Sequence, residues 1–450
     1  MAKTTIQRMI HRGLTRRNVL QGASAGLAAS LLHPFSRARA QGAEAVAATS
    51  PPSLTPADMP AAWSVEEIHR RWGKVRERMR ELELDCLLVP QHRPGAMITE
   101  RVDGDLDVEW LTGNSLPFKY VILPYEGTVT AISGGKIRRT PEEKLTADRG
   151  IEVRIAQEGQ WSAAIIDSLR EKGMTRARIG VGNLVDASRQ PEGEINYTTY
   201  DRVLKALPQA RFESAADLLW RVKLVHSPEE IAVLEKSAAV GEIGLRAMME
   251  TARPGVIHRV VWLAMYQAMV NATGERPFRL SIAAGAPANS TVNRPIEDVL
   301  MAGQILSQEC TGTVLGCGTQ VNQSVLLGSP APADWVSVGQ YSLDTFHSVV
   351  DAVAPGKTVH EVSLIYDKRR EALGQSPGAG IFHSSEVRTG SGPDRFASDV
   401  VFEPGMVFDI KPAILLKDGQ PAHFGDSVVV TETGTRRLGK RELKLITLGA

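Results

Sequence analysis

Two stretches of the sequence hold residue types that could do chemistry together. In residues 402–430, Asp409 and Lys411 stand two apart in an apolar run after a Pro-Gly turn, and His423 and Asp426 follow a Lys-Asp-Gly-Gln turn. Residues two apart on a strand point to one side. Two adjacent strands are therefore expected to present an acid, a cation and an imidazole together. The second stretch, HSSEVRTGSGPDR at 383–395, is the densest polar cluster in the chain. There His383 could serve as general acid or base, with Glu386 orienting it or sharing its proton; the alternative is a solvated polar loop.

Lys411 lies on an otherwise apolar strand, and burying an ammonium without a partner costs several kcal/mol. Asp409 and Glu309 are its expected carboxylate partners, and a lowered pKa is the alternative. The catalytic candidates are thus His383, Glu386, Lys411 and His423, although His423 could equally be a partly exposed structural histidine. The substrate-binding candidates are Glu309, Asp409, Arg294, Arg388, Arg101 and His92; guanidinium groups suit a substrate carboxylate because they pair with it bidentately. The sequence has no Gly-rich phosphate loop between strand and helix, no Cys/His zinc spacing and no G-x-S-x-G elbow. No cofactor is expected.

The phrase EPGMVFDIKPAI, followed by a turn and GDSVVVTETG, resembles the C-terminal hairpin of the creatinase, aminopeptidase P and prolidase family. That resemblance implies the pita-bread fold, an α+β catalytic domain of duplicated helix-helix-strand units around a curved antiparallel sheet. It also implies a smaller α/β domain before it. In the family's metallopeptidases five side chains hold two divalent metals. Here the matching positions carry Glu309, Gln320, Lys411 and Gly425, with Ala379 of PGAGIF at the histidine position. One plausible ligand in five leads to the expectation of no bound metal. Creatinase-type members work without metal through a histidine before the first ligand strand, but Val292 or Asn293 stands there in this chain.

The elements that must position these residues follow from pattern. Ser64 with Glu67 predicts a capping box, followed by a helix with Ile68, Trp72, Val75, Met79 and Leu82 on one face. A buried strand is expected at DCLLVP, and further strands near 120–124, 129–133 and 179–182, with a helix over 161–172. Ser227, Pro228 and Glu230 announce the helix that opens the second domain. ETARPGVIHRVV and DAVAPGKTVHEV, about 100 residues apart, echo each other and suggest a duplicated unit.

Thr15-Arg16-Arg17-Asn18-Val19-Leu20, an apolar stretch and Ala38-Arg39-Ala40 resemble a twin-arginine export signal. The expected organisation is a signal at 1–40, a disordered leader at 41–59, an N-terminal α/β domain at 60–220 and the catalytic domain at 221–450. Residues 1–40 hold seven Lys/Arg and no acid, so their removal takes the net charge from +1 to −6. A mildly acidic mature protein argues against nucleic-acid binding, and no apolar run is long enough to anchor it in a membrane. Cys86 reads as a buried thiol; Cys310 and Cys317 could bridge, with free thiols the default.

The functional expectation is a periplasmic, metal-independent enzyme that cleaves a small substrate bearing a carboxylate or phenol. The resemblance makes C–N hydrolysis the first guess. Alternatives are a metal-free lyase, by decarboxylation or one-carbon loss, and an inactive binding protein. The resemblance further implies a homodimer with a shared active site, in which the inserted segment 91–108 reaches across.

Overall fold

The computed structural model describes residues 54, 56–91, 107–113, 118–135, 140–182, 184, 195–285, 289–292, 297–377, 381–383 and 399–449. Expectations for 1–40, His92, Arg101, Arg294, Ala379, Glu386 and Arg388 lie outside these residues. The N-terminal part of the described chain runs α1 (Val65–Glu81), β1 (Cys86–Pro90), α2 (Asp107–Thr112), β2 (Phe118–Pro124), β3 (Thr130–Ser133), α3 (Thr140–Asp148) and β4 (Glu152–Ile155). It continues with α4 (Trp161–Glu171), β5 (Arg178–Val181), α5 (Tyr197–Ala206), β6 (Arg211–Ser214) and α6 (Ala216–Lys223). Its six strands form one mixed sheet in the order β4-β3-β2-β1-β5-β6. β1 is buried along its whole length, as its unbroken apolar run requires.

Ser64 caps α1 by accepting from the Glu67 backbone N–H. The expected capping box is only half formed, because Glu67 turns its carboxylate to Arg70 and Arg71 while the Ser64 N–H donates to Glu229 at 2.9 Å. Arg71 is fully buried, lies 4.1 Å over the Trp63 ring, and reaches Glu230 at 3.0 Å. Lys223 pairs with Asp107 at 2.8 Å, both buried. These charged contacts join the elements around the first sheet to the start of the long helix that follows.

The chain then enters α7 (Pro228–Thr251), whose Ser227/Glu230 capping box is complete. It continues with α8 (His258–Thr273), β7 (Arg279–Ala284), β8 (Asn289–Val292), β9 (Ile305–Val314), β10 (Cys317–Gln323) and β11 (Val325–Leu327). Then come α9 (Trp335–Ala352), α10 (Val359–Glu371), β12 (Phe382–His383), β13 (Val407–Ile410), β14 (Ala413–Leu415), β15 (Pro421–Val430), β16 (Thr435–Arg437) and β17 (Thr447–Leu448). The main path of the sheet is β12-β13-β15-β10-β9-β11-β17, with β7 also on β9.

The echoing segments are the same structure twice. Gly255 donates to the Leu300 carbonyl and His258 to Asp298; Gly356 donates to Phe402 and Val359 to Val400. Both glycines sit near φ +89°, where a side chain would be strained. This is the α+β pita-bread architecture. Cys86, Cys310 and Cys317 are buried, and no disulfide joins them.

Candidate active site

Register decides what shares a face, because directly paired residues on neighbouring strands point the same way. Ser281 pairs with Glu309, Gln320 with Thr311, Asn322 with Gly425, and Asp409 with Ser427. Ala413 pairs with His423, so the β13–β15 register runs unbroken through Lys411. One face of the sheet therefore carries Arg279, Glu309, Gln320, Asp409, Lys411, His423, Gly425 and Ser427. The other face packs on helices: Gly312, for instance, lies so close to α7 that a Cβ there would stand 2.1 Å from the Ser237 carbonyl.

Glu309 is the centre of the polar face. The Lys411 ammonium donates to its Oε1 at 2.5 Å, and Arg279 Nε pairs with its Oε2. Burial alone would raise the Glu309 pKa, but Lys411 and Arg279 overcome it and hold the carboxyl well below its ordinary range. Burial, opposed by Glu309, pulls the Lys411 pKa down. Asp409 accepts hydrogen bonds from the Ser427 hydroxyl and from the Gln320 N–H at 3.2 Å. Burial pushes its carboxyl up to about 6. His423 is driven down to about 4, first by burial and then by the nearby Lys411 charge, so its ring is neutral at physiological pH. A hydrogen bond with the Lys411 backbone orients that ring.

Lys411, Glu309, Asp409 and His423 are thus brought together on one face. Lys411 pairs directly with Glu309, whereas Asp409 takes Ser427 and Gln320 as its hydrogen-bond donors. His383 is in β12, paired with Asp409. Asp426 does not join the site. It is three residues from His423 and so faces the helices, where Arg437 holds it at 2.6 Å and Arg441 at 3.3 Å. Sequence reasoning missed Arg279 and Ser427. The only signal for Arg279 was a lone cation at an alternating position of an apolar strand, RLSIAA.

Residues 232–432 match the model of metallopeptidase family M24. That match spans 201 of the chain's 450 residues. An uncharacterized hydrolase/peptidase of Sinorhizobium fredii is 25% identical over 85% of this chain and 98% of its own length. A creatinase of a Bacillus species is 23% identical over 62% of this chain and 70% of its own. Among solved structures, an Xaa-Pro dipeptidase from Bacillus anthracis superposes with a TM-score of 0.68 at 16% identity, covering 85% of this chain and all of its own. The prolidase from Pyrococcus horikoshii gives 0.67 at 18%, covering 84% and 100%. Such likenesses fix the fold, and the named relatives support a hydrolase as the class of enzyme.

The family positions matched from sequence do converge here, since Glu309, Gln320, Lys411 and Gly425 lie on one face. Their chemistry does not suit a pair of dications. Only one is a carboxylate, and an ammonium is already bonded to it. A Cβ at Gly425 would stand 2.6 Å from Lys411 Cβ and 2.7 Å from the Ile410 carbonyl, so position 425 has no room for a ligand side chain. Among the described residues no group of three or more His, Cys, Asp or Glu is arranged to hold a metal ion.

Proposed function

We propose that this chain is a metal-independent hydrolase of family M24, which cleaves a C–N bond of a small organic substrate by general acid/base chemistry. The observation that carries the reading is the Lys411–Glu309 contact of 2.5 Å at the centre of the family's ligand positions. A fixed ammonium there can stabilise developing oxyanion charge without a metal. Asp409, raised toward neutrality, suits proton transfer, because such catalysis works best when the group's pKa lies near the working pH. His423 supplies a neutral imidazole that hydrogen-bonds the Lys411 backbone, and a neutral ring has one donor and one acceptor nitrogen. His383 stands opposite Asp409 in register and completes the proposed acid/base set, with Glu386 from the same stretch.

Periplasmic export and a homodimer with a shared site belong to the same proposal. They are supported by the twin-arginine pattern and by the polar insertion at 91–108. The test is to incubate purified protein, before and after exhaustive chelation, with mixtures of small amides, amidines and aryl acids and to follow masses. Gain of water that survives chelation is the expected outcome. Loss of a one-carbon fragment or carbon dioxide would make the enzyme a lyase instead. Two tightly held metals per chain, with activity abolished by their removal, would end the reading.

A further inference from the structure

The candidate site straddles a seam in the sheet. Glu309 and Gln320 come from the strands that follow the first Pro-Gly echo, Asp409 and Lys411 from the chain that follows the second, and the two units meet where β10 lies beside β15. There β10 and β15 are paired at Asn322–Gly425 and Gln323–Phe424. Two residues further on, at Gln320 and Ser427, the backbones have parted. The Ser427 carbonyl accepts from the Leu438 N–H at 2.9 Å, and the Gln320 N–H turns to side chains, Ser427 Oγ at 3.1 Å and Asp409 at 3.2 Å.

On the helix side one side chain bridges that opening. The Arg441 guanidinium donates to the carbonyls of Asn322 at 2.9 Å and Gly425 at 2.5 Å, the pair at which the ladder ends, and to Asp426 at 3.3 Å. Its own backbone is anchored as well. The Lys440 and Arg441 N–H groups both donate to Glu242 of α7 at 2.7 Å, and a Cβ at Gly439 would stand 2.5 Å from the Asp426 carboxylate oxygens. Arg437 shares Asp426 at 2.6 Å and otherwise donates to the Arg441 carbonyl.

We infer that Arg441 is a positioning residue of the site: from the opposite face it fixes how far β10 and β15 stand apart, and so where Lys411 and Asp409 of one unit meet Glu309 and Gln320 of the other. The inference rests on reading that face as the site and adds a residue that touches no substrate. A guanidinium suits the task because its planar fork serves two carbonyls and a carboxylate at once, whereas an ammonium gathers its donors at one point.

The test follows the Asp409 carboxyl by carbon-13 NMR of the full chain labelled at aspartate, with Asp409→Asn assigning the signal. Asp409 is held at about 6 mainly by burial, with Lys411 lowering it and Asp426 raising it, and His383 stands beside it on β12. When the clamp is removed in Arg441→Met, water reaches Asp409 and its midpoint should fall by about one unit toward 3.8. Arg441→Lys keeps the charge but bridges less, and should give a smaller fall. Loss of charge alone would act the other way, since removing a cation raises a carboxyl. Arg437→Met takes a cation from Asp426 and leaves the strand carbonyls held, so this control should not lower the midpoint. Thermal melts confirm that each variant folds, and should Arg441→Met not fold, Arg441→Lys decides. A midpoint unmoved or raised in a folded Arg441 variant, or lowered as far by Arg437→Met, overturns the inference. The reading needs no turnover, so a metal requirement or a lyase outcome in the activity assay would change the proposed function and leave this result standing.

Discussion

Asp409 and His423 share one buried face and are shifted in opposite directions, which makes the pH dependence of stability a sharp test. Asp409 goes from an ordinary 3.8 up to about 6, and His423 from 6.5 down to about 4, each mainly through burial. A carboxyl whose folded pKa is raised contributes stability that is complete below 3.8 and is lost as pH rises through about 6. The histidine, lowered on folding, contributes stability that is complete above 6.5 and is lost as pH falls through about 4. Near pH 5, unfolding therefore releases a proton from Asp409 and takes one up on His423, and the two slopes cancel. Single substitutions unmask them. In Asp409→Asn, stability relative to wild type should fall toward acid by about 1.4 kcal/mol per pH unit across the overlap of the two windows. In His423→Gln it should instead fall by a similar amount per unit as pH rises. The assay is urea unfolding at half-unit steps from pH 4.5 to 6 at fixed ionic strength. If both variants run parallel to wild type, neither group is buried as described and the electrostatic account of the site is wrong.

Lys411→Met removes one of two cations from Glu309 but leaves Arg279, so the expected cost is about 1–3 kcal/mol rather than that of stranding a bare buried charge; an unchanged urea midpoint would show that Lys411 is not paired. Gly425→Ala places a methyl 2.6 Å from Lys411 Cβ and should destabilise by about 1–3 kcal/mol, read in the same way, and a neutral result would mean that β13 and β15 are further apart than this. For the shared site, chains carrying Arg101→Ala and Lys411→Ala should each be inactive and should regain activity as confirmed heterodimers, because one pocket then lacks both changes. No recovery in confirmed heterodimers would assign the insertion to its own subunit.

Much of this arrangement was legible in the sequence, and the misses have physical causes. A lone lysine in a buried strand has to find a carboxylate, so the Lys411–Glu309 pair could be anticipated across more than a hundred residues. The Pro-Gly echo announced the duplicated unit, because each glycine needs a positive φ at a helix-to-helix turn. Asp426 was misplaced by ignoring parity, since an odd separation from His423 sends it through the sheet to Arg437 and Arg441. Arg279 and Ser427 could not be read, because their roles come from the β7–β9 and β13–β15 registers, and no local pattern sets those. The capping box at Ser64 was half right: Glu67 had a stronger use for its carboxylate in Arg70 and Arg71.

The same registers explain why position 425 and position 411 have to be considered together. Glu309 lies on β9 and Lys411 just past the end of β13, strands separated by β10 and β15 and so by about 14 Å at ordinary strand spacing. Neither side chain covers that span alone. Between them on β15 stands Gly425, where a Cβ would lie 2.6 Å from Lys411 Cβ and 2.7 Å from the Ile410 carbonyl. A shorter side chain at 411 would take from Glu309 one of the two cations that engage it. A side chain at 425 would thus collide with the backbone and Cβ at 410–411, whichever side chain stands at 411. Replacing Lys411 by a carboxylate would therefore leave position 425 just as crowded, and a metal-binding arrangement could not be recovered by that substitution alone.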